Sequence, residues 1–204
     1  HAGGRPVTRV GSEAVGPPPA GRFRGMPVLV DAAVWPFGGE HWAHLVSDVS
    51  FDELHAFAQR LGKRRLGFQG DHYDIEAPDR DRAIELGAEA VDSRELLARL
   101  KQAGLRRRDS KPRWERFGSA PVGEILTVPP DLGSAGERLR AAVQTLRDLD
   151  ADARTAVFAD ETSGVLLFDW VGAPATLPPL VVDEVWAGAA RRDGERSLEL
   201  FVHR

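Results

Sequence analysis

The stretch Trp42-Ala43-His44-Leu45-Val46-Ser47-Asp48-Val49-Ser50-Phe51-Asp52-Glu53-Leu54-His55-Ala56-Phe57-Ala58-Gln59-Arg60-Leu61-Gly62 changes its apolar period midway, and that change decides the fold class. Trp42 to Ser47 reads as a strand. Ser50 and Glu53 stand at capping-box spacing, so Ser50 is expected to take an orphan amide of a new helix while Glu53 reaches back to the Ser50 amide. Within that helix Leu54, Phe57, Ala58 and Leu61 fall at i, i+3, i+4 and i+7, one apolar stripe, and Gly62 supplies a left-handed stop.

Upstream, Val28 to Val30 is a short apolar run ending in Asp31, the pattern of a buried strand whose C-terminal end delivers a carboxylate. Downstream, Leu66 to Gln69 reads as a short strand and His72-Tyr73-Asp74 as a loop after a Gly70-Asp71 turn. Pro78 fits a helix start, with Ala83, Ile84 and Leu86 inward and Gly87 closing it. Ala88 to Val91 reads as a strand, and Asp92 to Ala103 as a helix burying Leu96, Leu97 and Leu100. The alternation predicts an α/β domain over residues 26–105, a small, mostly parallel sheet covered by helices.

Between Leu105 and Phe117 the composition turns basic around Trp114, and Pro112 interrupts regular structure, so residues 106–117 read as a linker. Beyond it, Glu124 to Val128, Thr155 to Ala159, Val165 to Trp170, Val181 to Ala187 and Leu198 to His203 read as strands and Ser134 to Leu149 as a helix. Residues 118–204 are thus expected to form an α+β domain with an antiparallel sheet and one helix. From Gly118 onward there are 8 basic and 14 acidic residues, so this half is acidic where the linker is basic.

The whole chain, with 204 residues, 42% hydrophobic, 28% charged and a formal net charge of -4, has an ordinary globular composition. It has no cysteine, which excludes disulfides, a thiolate nucleophile and Cys-ligated zinc or iron-sulfur centres. No apolar run approaches the roughly 20 residues of a membrane helix, and a cytoplasmic protein is expected. His1 to Gly25, rich in Gly, Pro and Arg, reads as a disordered leader, with Met26 as the start of the folded part.

His41, His44, His55 and His72 are concentrated between Asp31 and Asp74. Ligands of parallel sheets bind beyond the carboxyl ends of strands, where Asp31, Asp48 and His72-Tyr73-Asp74 would lie together. Mixed imidazole and carboxylate donors suit Mn²⁺, Zn²⁺ or Fe²⁺, and carboxylates alone suit Mg²⁺. The expected metal ligands are therefore Asp31, His44 and Asp48, with His72 and Asp74 for acid-base work on metal-activated water. Competing structural roles exist: Asp48 as an amide acceptor before the helix, and His55 as a half-buried partner on its own helix. The Arg106, Arg107, Arg108, Lys111, Arg113 and Trp114 stretch could grip phosphates while the indole stacks on a base. Signatures of serine hydrolases, P-loops, dinucleotide folds and zinc peptidases are missing.

Met26-Pro27-Val28-Leu29-Val30-Asp31, Trp42 to Asp48, Asp52 to Ala58, Phe68-Gln69, His72-Tyr73-Asp74 and Leu86-Gly87-Ala88 recur in an order and spacing that resemble the bacterial and phage domain of unknown function 4031 family. The resemblance covers about Met26 to Leu105. It implies a compact α/β domain with Asp31, His44, Asp48, His55, His72 and Asp74 on motif positions, and it implies no activity. The expectation from the residues is a metal-dependent hydrolase-like domain acting on a phosphate ester or nucleotide, with the acidic half as accessory. The alternative is a non-enzymatic binding or interaction module contacting nucleic acid through the basic linker.

Overall fold

Ser50 turns the chain from strand to helix as its spacing predicts: its hydroxyl accepts the Glu53 amide at 3.1 Å, and the helix runs over Phe51–Leu61. The other half of the capping box differs. The Glu53 carboxylate takes the Ser47 hydroxyl, and Ser47 Oγ in turn accepts the Ser50 amide at 3.1 Å, so a serine in the preceding turn relays the contact.

The computed structural model describes residues 8–9, 28–107, 110–122, 124, 126–129, 132–146, 153–172, 176–191 and 193–204. Two units divide the chain, one of Pro17–Pro112 and one of Arg113–Arg204 with His1–Gly16, so the division falls inside the basic stretch. Within the stretch expected as a leader, Thr8–Arg9 (β1) is a strand, and the remainder of His1 to Gly25, like Met26, lies outside the described residues.

The Pro17–Pro112 unit contains Leu29–Val30 (β2), Trp35–Phe37 (β3), Glu40–Val46 (β4), Phe51–Leu61 (α1), a 3₁₀ turn at Arg65–Gly67, Tyr73–Glu76 (β5), Ala77–Glu85 (α2), Glu89–Ala90 (β6) and Ser93–Gln102 (α3). Its five strands form a mixed sheet, where a mostly parallel one was expected. Only β2 and β6 run parallel; β4 is antiparallel to β2, β3 and β5. The physical reason is connection length. A parallel neighbour needs a crossover of a dozen or more residues, whereas β3 and β4 are joined by Gly38-Gly39 alone, with φ of 63° and 85°, the positive values that a two-residue hairpin turn requires.

Leu54, Phe57, Ala58 and Leu61 are all buried, as their spacing predicts, and Gly62 ends α1 at φ 81°. Each large side chain of this kind contributes about 1.5–3 kcal/mol by leaving water. Ala43, Leu45, Tyr73 and Ile75 bury one face of the β4–β5 pair. Leu29 and Val46 pack with Leu96 and Leu100 of α3, which starts at Asp92, whose carboxylate accepts the Arg94 and Glu95 amides at 2.8 and 2.9 Å. Ile84, expected inward, is 38% exposed, because in α2 Ala83 is the buried position. Of Leu66 to Gln69, expected as a strand, Leu66 and Gly67 belong to the 3₁₀ turn and Phe68 makes a single antiparallel bridge to Tyr73, while Tyr73–Glu76, expected in part as loop, is strand.

The second unit is α+β with an antiparallel sheet, as expected. Glu115–Ala120 (β7), Arg154–Ala159 (β8), Ser163–Val171 (β9), Glu184–Ala187 (β11) and Glu195–His203 (β12) pair in the order β11-β12-β9-β8-β7, and Gly133–Leu146 (α4) buries Leu139, Val143 and Leu146 in its core. Val181–Val182 (β10) pairs with β1. The described residues of the expected strand at Glu124 to Val128 are not in a strand, and β7 instead falls across the end of the stretch expected as linker. Among the described residues no helix is long and apolar enough to cross a membrane.

Candidate metal centre

Strand register sets the site. In the antiparallel β4–β5 pair His44 stands directly opposite Asp74, while Ala43, Leu45, Tyr73 and Ile75 point to the buried face. The alternation of side chains along a strand therefore sends His44 and Asp74 to the same face. His72, two residues before Asp74, joins them; its ring centroid lies 5.3 Å from that of His44. The ring Nε2 atoms of His44 and His72 lie 3.9 and 3.4 Å from the same oxygen, Asp74 Oδ1. One donor atom from each of the three residues falls within 4.8 Å of the others.

Each imidazole is backed by a buried carboxylate on its other nitrogen. Asp31, with no exposed surface, accepts the His44 amide at 2.7 Å, lies 2.9 Å from His44 Nδ1 and takes the Ser93 hydroxyl at 2.8 Å. Its carbonyl accepts Arg80 Nε at 2.6 Å. Asp71, 1% exposed, lies 2.6 Å from His72 Nδ1 and accepts Arg106 Nη1 and the Arg107 amide, both at 2.8 Å. Gly70 makes this approach possible: its φ is 96°, and a Cβ there would stand 2.4 Å from Ser110 Oγ and 2.6 Å from the Ser110 carbonyl oxygen.

Burial pushes the Asp31 carboxyl up, but hydrogen bonds from the His44 ring, the His44 amide and Ser93 outweigh it and hold the group below its ordinary value. For Asp71 burial is likewise overcome, by the His72 ring, the Arg107 amide and the charges of His72 and Arg106. Ionised carboxylates only accept, so each Nδ1 carries a proton toward its aspartate, and loss of the other ring proton leaves the lone pair at Nε2. Burial disfavours the His72 cation, but Asp74 and Asp71 more than offset this and raise its pKa. Asp74 is held low against burial by His72, His44 and Lys111.

Of the expected metal ligands only His44 stands in the donor cluster: Asp31 supports it from behind and Asp48 lies apart, while His72 and Asp74, expected for acid-base work, are the other two donors. Asp48 Oδ2 sits 2.7 Å from Arg99 Nε, and the same guanidinium reaches Glu89 at 3.0 Å, so this carboxylate serves α3. His55 bonds the buried Tyr73 hydroxyl at 2.9 Å; burial, with the Arg65 charge, pushes its pKa down to about 3, as befits a neutral structural histidine. His41 is exposed on β4. Asp71, Ser93, Arg80 and Trp35, whose ring lies 5.8 Å from that of His44, were not anticipated. Aspartate directly before His72 was a readable signal for the first; the others come from sequence-distant elements.

The basic stretch is split between the two units. Arg106 and Arg107 anchor on Asp71, the Arg107 guanidinium lies over the Phe51 ring at 4.8 Å, and Lys111 is exposed. Arg108 lies outside the described residues. Arg113 is exposed in the other unit, where Trp114 packs edge-on against Phe201 at 6.1 Å.

The family described as protein of unknown function (DUF4031) matches residues 28–103. The match covers less than half of the chain, and that segment is what resembles this family. No curated protein and no solved structure matches. The three candidate ligands, both supporting aspartates and Ser93 all lie inside the DUF4031 segment, whereas Arg106, Arg107 and Lys111 follow its end.

Proposed function

We propose that the DUF4031 segment is a metal-dependent hydrolase that holds a divalent ion on His44 Nε2, His72 Nε2 and an Asp74 oxygen and acts on a phosphate ester or nucleotide. One observation carries this reading: two imidazoles, each backed at Nδ1 by a buried carboxylate, aim Nε2 at a single oxygen of a third carboxylate. Carboxylate support of this kind fixes the tautomer and raises the basicity of histidines that bind metals. Donors bonded at 2.0–2.1 Å to a tetrahedral ion stand roughly 3.4 Å apart, close to the separations of Asp74 from the two rings. Two imidazoles and one carboxylate favour Zn²⁺ or Mn²⁺ over Mg²⁺, which prefers oxygen alone.

A divalent ion held by His44, His72 and Asp74 would supply Lewis-acid activation of water for displacement at phosphorus, in which the P–O bond to the alcohol breaks and the alcohol leaves with a proton from water. Lys111, whose charge reaches Asp74, favours an anionic substrate at this edge. The test is release of p-nitrophenol from p-nitrophenyl phosphate by chelator-treated protein with added Zn²⁺, Mn²⁺ or Mg²⁺. Metal-stimulated release that His44→Ala, His72→Ala and Asp74→Ala each abolish supports the reading. Release that survives all three substitutions, or no release with any metal on this substrate and on bis-p-nitrophenyl phosphate, contradicts it.

A further inference from the structure

The β3–β4 hairpin, whose Trp35 meets His44, exposes large apolar side chains: Trp35 is 51% exposed and Phe37 77%, and Val34 just before the hairpin is 56% exposed. Scattered exposed apolar residues are ordinary, but a contiguous group rimmed by polar side chains marks a contact surface. Register places Trp35 opposite Trp42, on the face that carries His44. The indole meets the His44 imidazole at 65° with 5.8 Å between centroids, an edge contact that leaves much of the ring free. The Gly38-Gly39 turn and the bond from Trp42 Nε1 to the Phe37 carbonyl at 2.9 Å hold the hairpin in place. Lys111 supplies a positive charge toward Asp74. A flat aromatic surface thus borders His44, and a cation acts on Asp74 of the same donor cluster.

We infer that Trp35 is the platform on which the substrate's base stacks, so that the substrate class is a nucleoside phosphate, free or within a strand, with its phosphate directed toward His44, His72 and Asp74. This inference rests on the hydrolase reading and narrows its substrate. An indole binds any base through the π-face without reading its edges, so the platform selects for the presence of a base and leaves its identity open. Phe37, edge-on to Trp42 with 6.4 Å between centroids, extends the apolar surface along the hairpin, and the phosphate supplies the charge that Lys111 complements.

The experiment is calorimetric titration of the full chain under chelator, so that no probe is turned over, using adenosine 5′-monophosphate, ribose 5-phosphate and a short single-stranded oligoadenylate as probes. Adenosine 5′-monophosphate is expected to bind at least about tenfold tighter than ribose 5-phosphate, the difference one base-aromatic stack makes. Trp35→Ala should remove that difference and leave ribose 5-phosphate affinity unchanged; Trp35→Phe should keep most of it; Lys111→Ala should weaken both. Oligoadenylate binding tighter than the monophosphate places the group in a strand, and equal or weaker binding makes it a free nucleotide. Equal affinity of wild type for the two monophosphates, or equal weakening of both by Trp35→Ala, overturns the inference. The metal reading is scored separately on the same variants: Trp35→Ala should keep its metal-dependent rise in Tm. A base preference without any metal-dependent rise overturns the hydrolase reading and leaves the stacking platform standing.

Discussion

His44 Nδ1 lies 2.9 Å from Oδ2 of Asp31, a carboxylate with no exposed surface, and that contact decides what the opposite ring nitrogen can do. The ring is locked by the same carboxylate that accepts the His44 amide. Replacing Asp31 with Asn exchanges an acceptor for a donor at one of these positions and removes the charge that fixes the tautomer. Asp31→Asn is expected to weaken Zn²⁺ binding by roughly 10–100-fold, measured by competition with a chromophoric chelator. Affinity within about twofold of wild type would remove Asp31 from the supporting role.

Packing and ligation separate cleanly by position. Leu54→Ala and Phe57→Ala truncate buried side chains of α1 and should each cost about 2–5 kcal/mol. His72→Ala leaves Asp71 still bonded to Arg106 and the Arg107 amide, so its cost should be small, within about 1 kcal/mol of wild type. Urea melts of the three variants under chelator give the comparison. His72→Ala melting as early as Leu54→Ala would make His72 structural.

The strand-helix order was legible because periods of two and of three to four residues occur in succession, and because Ser50, Asp92 and Gly62 mark helix ends by their own chemistry. The mixed pairing was hidden. Gly38-Gly39 is a sufficient hairpin turn, but Pro36 within the preceding strand lacks the amide of an ordinary strand residue and disguised β3 as loop. With β3 unseen, β4 had no visible antiparallel partner. The concentration of His and Asp pointed to the right segment, yet ligand and supporter could not be separated. Asp31, Asp48 and Asp71 all precede turns or helices in the sequence, and only tertiary placement sends Arg99 to Asp48 and leaves Asp31 and Asp71 facing imidazoles.

The acidity of the site has a definite sign. The His72 pKa is raised from 6.5, so the folded, metal-free chain binds this proton more tightly than the unfolded chain. Its contribution to stability is fully present below pH 6.5 and fades as pH rises through the raised value. A metal must displace the same proton, so the metal-dependent rise in Tm should grow with pH across that window and be smallest at its acidic end. Thermal melts from pH 5.5 to 8 with and without Zn²⁺ test this over roughly the range in which histidine titrates. A rise that is flat or falls with increasing pH would contradict it.

Gly70 tests the link between turn and site. Gly70→Ala meets both a positive φ of 96° and the Ser110 backbone, so Asp71 cannot keep its place behind His72. The variant should lose at least about 1 kcal/mol of stability from the backbone conformation alone and should weaken metal binding as well. Unchanged binding in a folded Gly70→Ala chain would uncouple the turn from the centre.

The most direct measurement is metal stoichiometry by elemental analysis, paired with Tm, on wild type and on His44→Ala, His72→Ala and Asp74→Ala. One Zn²⁺ or Mn²⁺ per wild-type chain is expected, with a rise in Tm that reflects about 2.7 kcal/mol at a hundredfold excess over Kd, both lost in all three variants while their chelator-treated melts stay near that of wild type. A wild-type chain that binds no divalent ion, or binding that survives in all three variants, would contradict it.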